Sequence, residues 1–214
     1  MPAGPLRGRR NDRRARRLPS AARREVAPSS GPTPVFLISF NRGAMLERAI
    51  AGIHSLSHPT QVVVHDNGSN DGATLAVLEQ IEKRGVLVVR REAISTPSEL
   101  ENVDETINAF FADRPMPARY VVSDCDIDLS IANAGALDLY HELLDGFPEA
   151  DCTGPMLRIH DVPPTYPLFN QVMNRHIEQF WHKRPSWIET SRGRIAYIEA
   201  PFDTTFAVHR GYHR

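Results

Sequence analysis

The sequence predicts an α/β protein built on an open, largely parallel sheet. Three observations predict it. Short continuous apolar runs alternate along the chain with segments of helical period, the pattern of a parallel sheet crossed by helices. Three of those runs stop abruptly at small polar or acidic residues: Ser39/Asn41/Arg42, Asp66/Asn67 and Asp124/Asp126. Ligands of open α/β sheets sit beyond the carboxyl ends of the strands, so chemistry is expected there.

The elements follow in order. Val35-Phe36-Leu37-Ile38, after Pro34, reads as a buried first strand. Ser39 to Gly43 turns the chain. Ala44 to Leu56 then places Met45, Leu46, Ala49, Ile50, Ile53 and Leu56 at helical spacing. His58-Pro59 ends that helix. Gln61 to Val64 is the second strand, and it runs into the turn Asp66-Asn67-Gly68-Ser69-Asn70-Asp71-Gly72. The next helix spans about Ala73 to Arg84, with Leu75, Val77, Leu78 and Ile81 inward and Gly85 as its stop. Val86 to Val89 is a third strand. Ser98, with Glu101 three residues on, predicts a capped helix to Phe111. Tyr120 to Ser123 is a fourth strand, ending at Asp124-Cys125-Asp126. The second half is less regular. It predicts helices over Ala134–Leu144 and Val172–His182, and strands over Met156–Ile159, Ile195–Ile198 and Thr205–Val208. Asp161 to Pro167 must be a loop, because its three prolines cannot pair.

At 214 residues the chain has room for one domain with a sizeable core. No segment approaches the ~18 apolar residues of a membrane span, and the N-terminus has no apolar signal region. Cys125 and Cys152 build no disulfide framework, which fits a cytoplasmic setting. Within residues 1–34, nine arginines face two acids, giving +7 and leaving −8 on the rest of a chain of net charge −1. Residues 1–33 read as a disordered Arg-rich tail, and 34–214 as the folded domain. The tail suits weak peripheral contact with an anionic membrane. It equally reads as an unselected extension. Nothing specifies nucleic acid.

Alternating carboxylates at a strand end suit a hard divalent cation, which usually shares its remaining positions with substrate phosphates. In their order, Val35–Arg42, the Asp66-Asn67-Gly68-Ser69-Asn70-Asp71-Gly72 turn and Asp124-Cys125-Asp126 resemble the nucleotide loop, nucleotide-binding turn and DxD motif of family 2 glycosyltransferases. The resemblance covers roughly residues 34–210. It implies a GT-A fold, a Rossmann-like three-layer sandwich with a largely parallel central sheet. It also implies transfer of a hexosyl group from a nucleotide-diphosphate sugar, UDP- or dTDP-linked, to a saccharide, lipid or small-molecule hydroxyl, with inversion. Mn2+ or Mg2+ would be the cofactor. Ser39, Asn41, Arg42, Asp66, Asn67 and Asp124 would hold the donor. Asp124 and Asp126 would hold the metal, with His209 or His213 completing the site. Asp203 would be the general base, with Glu199 as the alternative.

Two departures from the family pattern stand out. Glu101-Asn102-Val103-Asp104 lacks the arginine common before DxD, and the chain stops soon after the supposed catalytic strand. A GT-A scaffold that binds without catalysis therefore stays open. A sugar nucleotidyltransferase ranks lower, because no Gly-rich phosphate loop follows the first strand. Phe180 and Trp181 read as core rather than sugar-stacking aromatics, His176 and His182 as surface, and Cys125 as a small buried filler.

Overall fold

The computed structural model describes residues 31–92, 103–201 and 205–211. A six-stranded sheet forms the middle layer: β1 (Thr33–Ser39), β2 (Thr60–Asp66), β3 (Leu87–Arg90), β4 (Arg119–Asp124), β5 (Cys152–Thr153) and β8 (Ala207–Arg210). Its order is β3-β2-β1-β4-β8-β5. The first four strands are parallel, and β8 lies antiparallel between β4 and β5. A separate hairpin joins β6 (Ser186–Thr190) to β7 (Gly193–Tyr197).

The helices cover both faces because β1, β2 and β4 are apolar on both. Val35, Leu37, Val62, Val64 and Val121 face α1 (Gly43–His54), α2 (Gly72–Lys83) and α4 (Ala136–Gly146), whose Leu46, Ile53, Leu78, Ile81, Leu137 and Leu144 close one core. Phe36, Val63, Tyr120 and Val122 face α3 (Val103–Phe111) through Val103, Ile107 and Phe110. The result is the expected three-layer sandwich. Burying each of these aliphatic side chains is worth roughly 1.5–3 kcal/mol.

Two helices meet closely at Gly43. A Cβ there would lie 2.8 Å from Thr74 Cα, while Gly43 N–H donates to Thr74 Oγ1 at 2.8 Å. Asp71 caps α2 by accepting from Thr74 N–H at 2.9 Å. Those bonds lower the Asp71 pKa.

Several sequence expectations need correction. Met156–Ile159 is coil, because the β5 edge consists only of Cys152–Thr153. Leu75 is 36% exposed and lies off the buried stripe of Leu78 and Ile81. The helix expected over Val172–His182 begins at Phe169 (α5, Phe169–His176) and widens into a π-helical turn, Ile177–Trp181. Trp181 is not core: it is 46% exposed. Strand β6 and the short β5 carry no run long enough to announce themselves. Residues 98–102 of the expected third helix lie outside the described residues, as do the tail, Asp203 and His213.

Candidate active-site crevice

In the sheet order, β1 leads on to β2 and β3 on one side and is flanked by β4 on the other. The order therefore reverses between β1 and β4. A crevice is expected outside their carboxyl ends. The register puts Ser39 beside Asp66 and Ile38 beside Asp124. Side chains alternate across a sheet, so Asp66 shares the face of Ser39, and Asp124 shares the face of Ile38. Strand ends alone would send the two acids apart. The loop that rounds the end of β1 ties together the turns that follow them.

Asn41 and Arg42 make that connection. Asn41 sits at φ 50, in the left-handed region that Asn tolerates better than most residues. Its Oδ1 accepts the N–H groups of Asn70 (2.9 Å) and Asp71 (3.2 Å), and its Nδ2 donates to Asn70 Oδ1 at 3.0 Å. Its own N–H donates to Ser69 Oγ at 2.8 Å. Arg42, the next residue, reaches the other way and pairs with the Asp126 carboxylate. One short turn thus ties the loop after β2 to the loop after β4.

Asp66 and Asn67 are 1% and 0% exposed. Asp66 accepts from Ser69 N–H (2.9 Å) and Ser69 Oγ–H (2.6 Å). Asn67 Oδ1 accepts from His65 Nε2–H at 3.0 Å, while His65 Nδ1 accepts from Thr106 Oγ1–H at 2.7 Å. Burial lowers the His65 pKa, which suits this neutral tautomer. In this conformation both residues shape the turn from below rather than face solvent. Ser39 Oγ is buried with no nitrogen or oxygen partner among the described residues, and its polar neighbour is the Cys125 thiol. Burial pushes that thiol up to about 11, and the flanking acids Asp126 and Asp124 act in the same direction. Cys125 is an inert filler, as expected. Asp128 accepts from Ser130 N–H at 2.8 Å and starts the next turn.

His209 does not join the acids. It pairs in register with Tyr120 and stacks on that ring at 5.4 Å. Tyr120 lies four residues before Asp124 on β4, about 13 Å along a strand. The antiparallel course of β8 carries His209 away from the crevice. Among the described residues, no group of three His, Cys, Asp or Glu side chains converges as a metal cage. Glu199 lies after β7 and is exposed. Its carbonyl accepts from Lys183 Nζ at 2.7 Å.

Sequence reasoning passed over Phe206. A bulky residue at φ 56 is strained by an amount of order 1–3 kcal/mol. Its ring is 1% exposed in the main core, and its N–H donates to Ser123 Oγ at 3.2 Å. These contacts hold Phe206 beside the end of β4. No local pattern signals such a backbone. Asp71, three residues before Thr74, was readable as a helix cap.

No protein-family model and no curated protein matches the chain. Solved structures do. Mannosyltransferase PcManGT from Pyrobaculum calidifontis, in complex with GDP-Man and Mn2+, is 19% identical at TM-score 0.41, over 63% of this chain and 38% of that one. S. aureus TarS 1-349 is 15% identical at TM-score 0.48, over 84% of this chain and 47% of that one. Its complex with UDP gives 16% identity and TM-score 0.46 over the same shares. The chain spans less than half the length of these structures. The likenesses are distant, and the functional reading rests on the crevice itself.

Proposed function

We propose that this chain is a GT-A glycosyltransferase that binds a nucleotide-diphosphate sugar in the crevice between β1 and β4. The observation that supports it is the joined turn: Asn41 locks the loop after β2, and Arg42 meets Asp126 after β4. The loops that follow three strand ends are thereby tied together at the switch point. Helix α1 starts there too, with no acidic residue in its first turn, so its positive end favours an anionic diphosphate.

The donor set suits Mn2+ or Mg2+. Such ions take one or two carboxylates and complete their shell with substrate phosphates and water. Asp124 and Asp126 would supply the two carboxylates. The bound cation would offset charge on the departing nucleoside diphosphate. Asp126 would hold the cation, with Asp124 at the cation or the ribose, and Arg42 would serve the phosphates. Asp66, Asn67 and Ser39 keep the nucleotide turn in shape.

Transfer is proposed to invert. The acceptor oxygen attacks the anomeric carbon, the bond from that carbon to the β-phosphate oxygen breaks, and its electron pair leaves with the diphosphate. Asp203 takes the acceptor proton, with Glu199 as the alternative base. Hexosyl transfer and a place in family 2 belong to the same proposal. No helix among the described residues is long and apolar enough to cross a membrane.

Titration calorimetry with UDP tests the reading. UDP should bind the full chain with Mn2+ and at least tenfold more weakly without it, and Asp126→Ala should erase the difference. Equal UDP affinity in Asp126→Ala with Mn2+ present would overturn the assignment.

A further inference from the structure

A second opening lies apart from the acid-bearing turns. It is a cleft of about 820 Å³ between α4, the coil after β5, the π-helical turn and the coil after β7. That volume falls in the range of small-molecule sites, about 300–1,000 Å³. Its walls include Leu143, Phe147, Phe180, Ile195 and Tyr197. Phe147 and Tyr197 form one wall as an aromatic pair, 4.8 Å between centroids. Most of these side chains are only half-buried, although each is apolar enough to be covered.

The topology sets the cleft beside the proposed donor crevice. Strands β4 and β5 both run antiparallel to β8, so they are parallel to each other. The coil after Thr153 therefore leaves the sheet at the same edge as Asp124. Thr153 and Val121 both pair with Val208, one strand apart on either side. Two strand spacings separate them, about 10 Å. The chain from Ile198 to Pro201 also lines the cleft, on its way to β8.

Charge narrows the occupant. Among the described residues, Glu149, Asp151 and Glu199 line the cleft and no Lys, Arg or His does; Arg210 stands behind the wall, with its guanidinium donating to the carbonyls of Leu144, Phe147 and Ala150 instead of facing the opening. Lys183, which donates to the Glu199 carbonyl at 2.7 Å, is not among the walls. Such a lining repels a phosphate or carboxylate and accepts a neutral or cationic head on an apolar body.

We infer that this cleft is the acceptor pocket and that the acceptor is a neutral or cationic small molecule: an aromatic or aliphatic body that carries the hydroxyl to be glycosylated. The inference rests on the transferase reading and deepens it.

Three fluorescent probes of one shape test it on the full chain: 2-naphthylmethanol, 2-naphthylmethylamine and 2-naphthoate. The alcohol and the amine should bind saturably, with naphthoate at least tenfold weaker. Phe180→Ala, in a half-buried wall, should weaken alcohol and amine alike by about tenfold. Glu149→Lys should raise naphthoate affinity and lower that of the amine. The alcohol and UDP with Mn2+ should occupy the protein together. Absent binding of all three probes, naphthoate as tight as the amine, an unchanged order in Glu149→Lys, or competition with UDP would each overturn the inference. UDP titration on the same samples separates the two ideas. UDP binding without probe binding sinks only the pocket, whereas lost UDP binding strikes the transferase reading.

Discussion

Replacing Arg42 by alanine should tighten the binding of Mn2+ alone while weakening the binding of UDP with Mn2+. Arg42 and Asp126 are paired, with side chains 51% and 37% exposed. A pair so open to water is worth about 0.2–1 kcal/mol. A cation that takes Asp126 must first displace the guanidinium, so removing it should raise Mn2+ affinity by about 1.4- to 5-fold, the same free energy expressed as a ratio. The same change deletes the cationic group proposed for the diphosphate, so UDP in saturating Mn2+ should bind more weakly. The assay is Mn2+ titration followed by electron paramagnetic resonance of the free ion, then UDP calorimetry. Arg91→Ala is the control. It removes the same charge from an arginine paired with Glu105 instead, and it should leave Mn2+ affinity within error. Melting temperature should barely move in Arg42→Ala, given the small worth of the pair. Unchanged Mn2+ affinity in Arg42→Ala, or an equal rise in Arg91→Ala, would refute the idea that Arg42 competes with the cation for Asp126.

Other outcomes follow from the same geometry. Asn41→Ala should destabilise the fold by about 3 kcal/mol, since it loses three side-chain bonds worth about 0.5–1 kcal/mol each and strains a left-handed backbone. Asn41→Gly should cost roughly 1 kcal/mol less, and urea midpoints that rank the two the other way would contradict the account. Burial, first, and the neighbouring His58 and Arg119 lower the His141 pKa from 6.5 to about 4, against the pull of Asp138 and Asp145. A histidine held neutral in the fold stabilises fully above the unfolded value. That stability should fall by about 2–3 kcal/mol as the pH drops from 6.5 toward 4. His141→Gln should flatten this part of a denaturation profile. Asp203→Asn should retain UDP binding with Mn2+ and lose sugar transfer, read as released UDP; retained transfer would move the base to Glu199.

The sheet and the positions of its functional ends were legible in the sequence. Apolar runs closed by Ser39, Asp66 and Asp124 marked three carboxyl ends, because strand formation and burial leave a local signature in β-branched residues and turn formers. The spans of the first two helices were readable for the same reason. What local pattern does not contain is which groups meet. That Asn41 clamps the 69–71 turn and that Arg42 takes Asp126 depend on contacts spanning roughly 30 to 80 residues, and the burial of Asp66 and Asn67 beneath their own loop is likewise set by packing. His209 shows the distinction most clearly. By position in the chain it stood ready to complete a metal site, but β8 pairs antiparallel to β4, and strand direction sends His209 about 13 Å from Asp124. The sequence by itself determined the α/β class, the strand ends and the residue types available for chemistry, since short-range periodicity encodes these. The tertiary structure alone decided register, strand order, the strained backbone at Phe206 and the second cleft. Those arise when distant segments pack together, and no window of neighbouring residues carries that information.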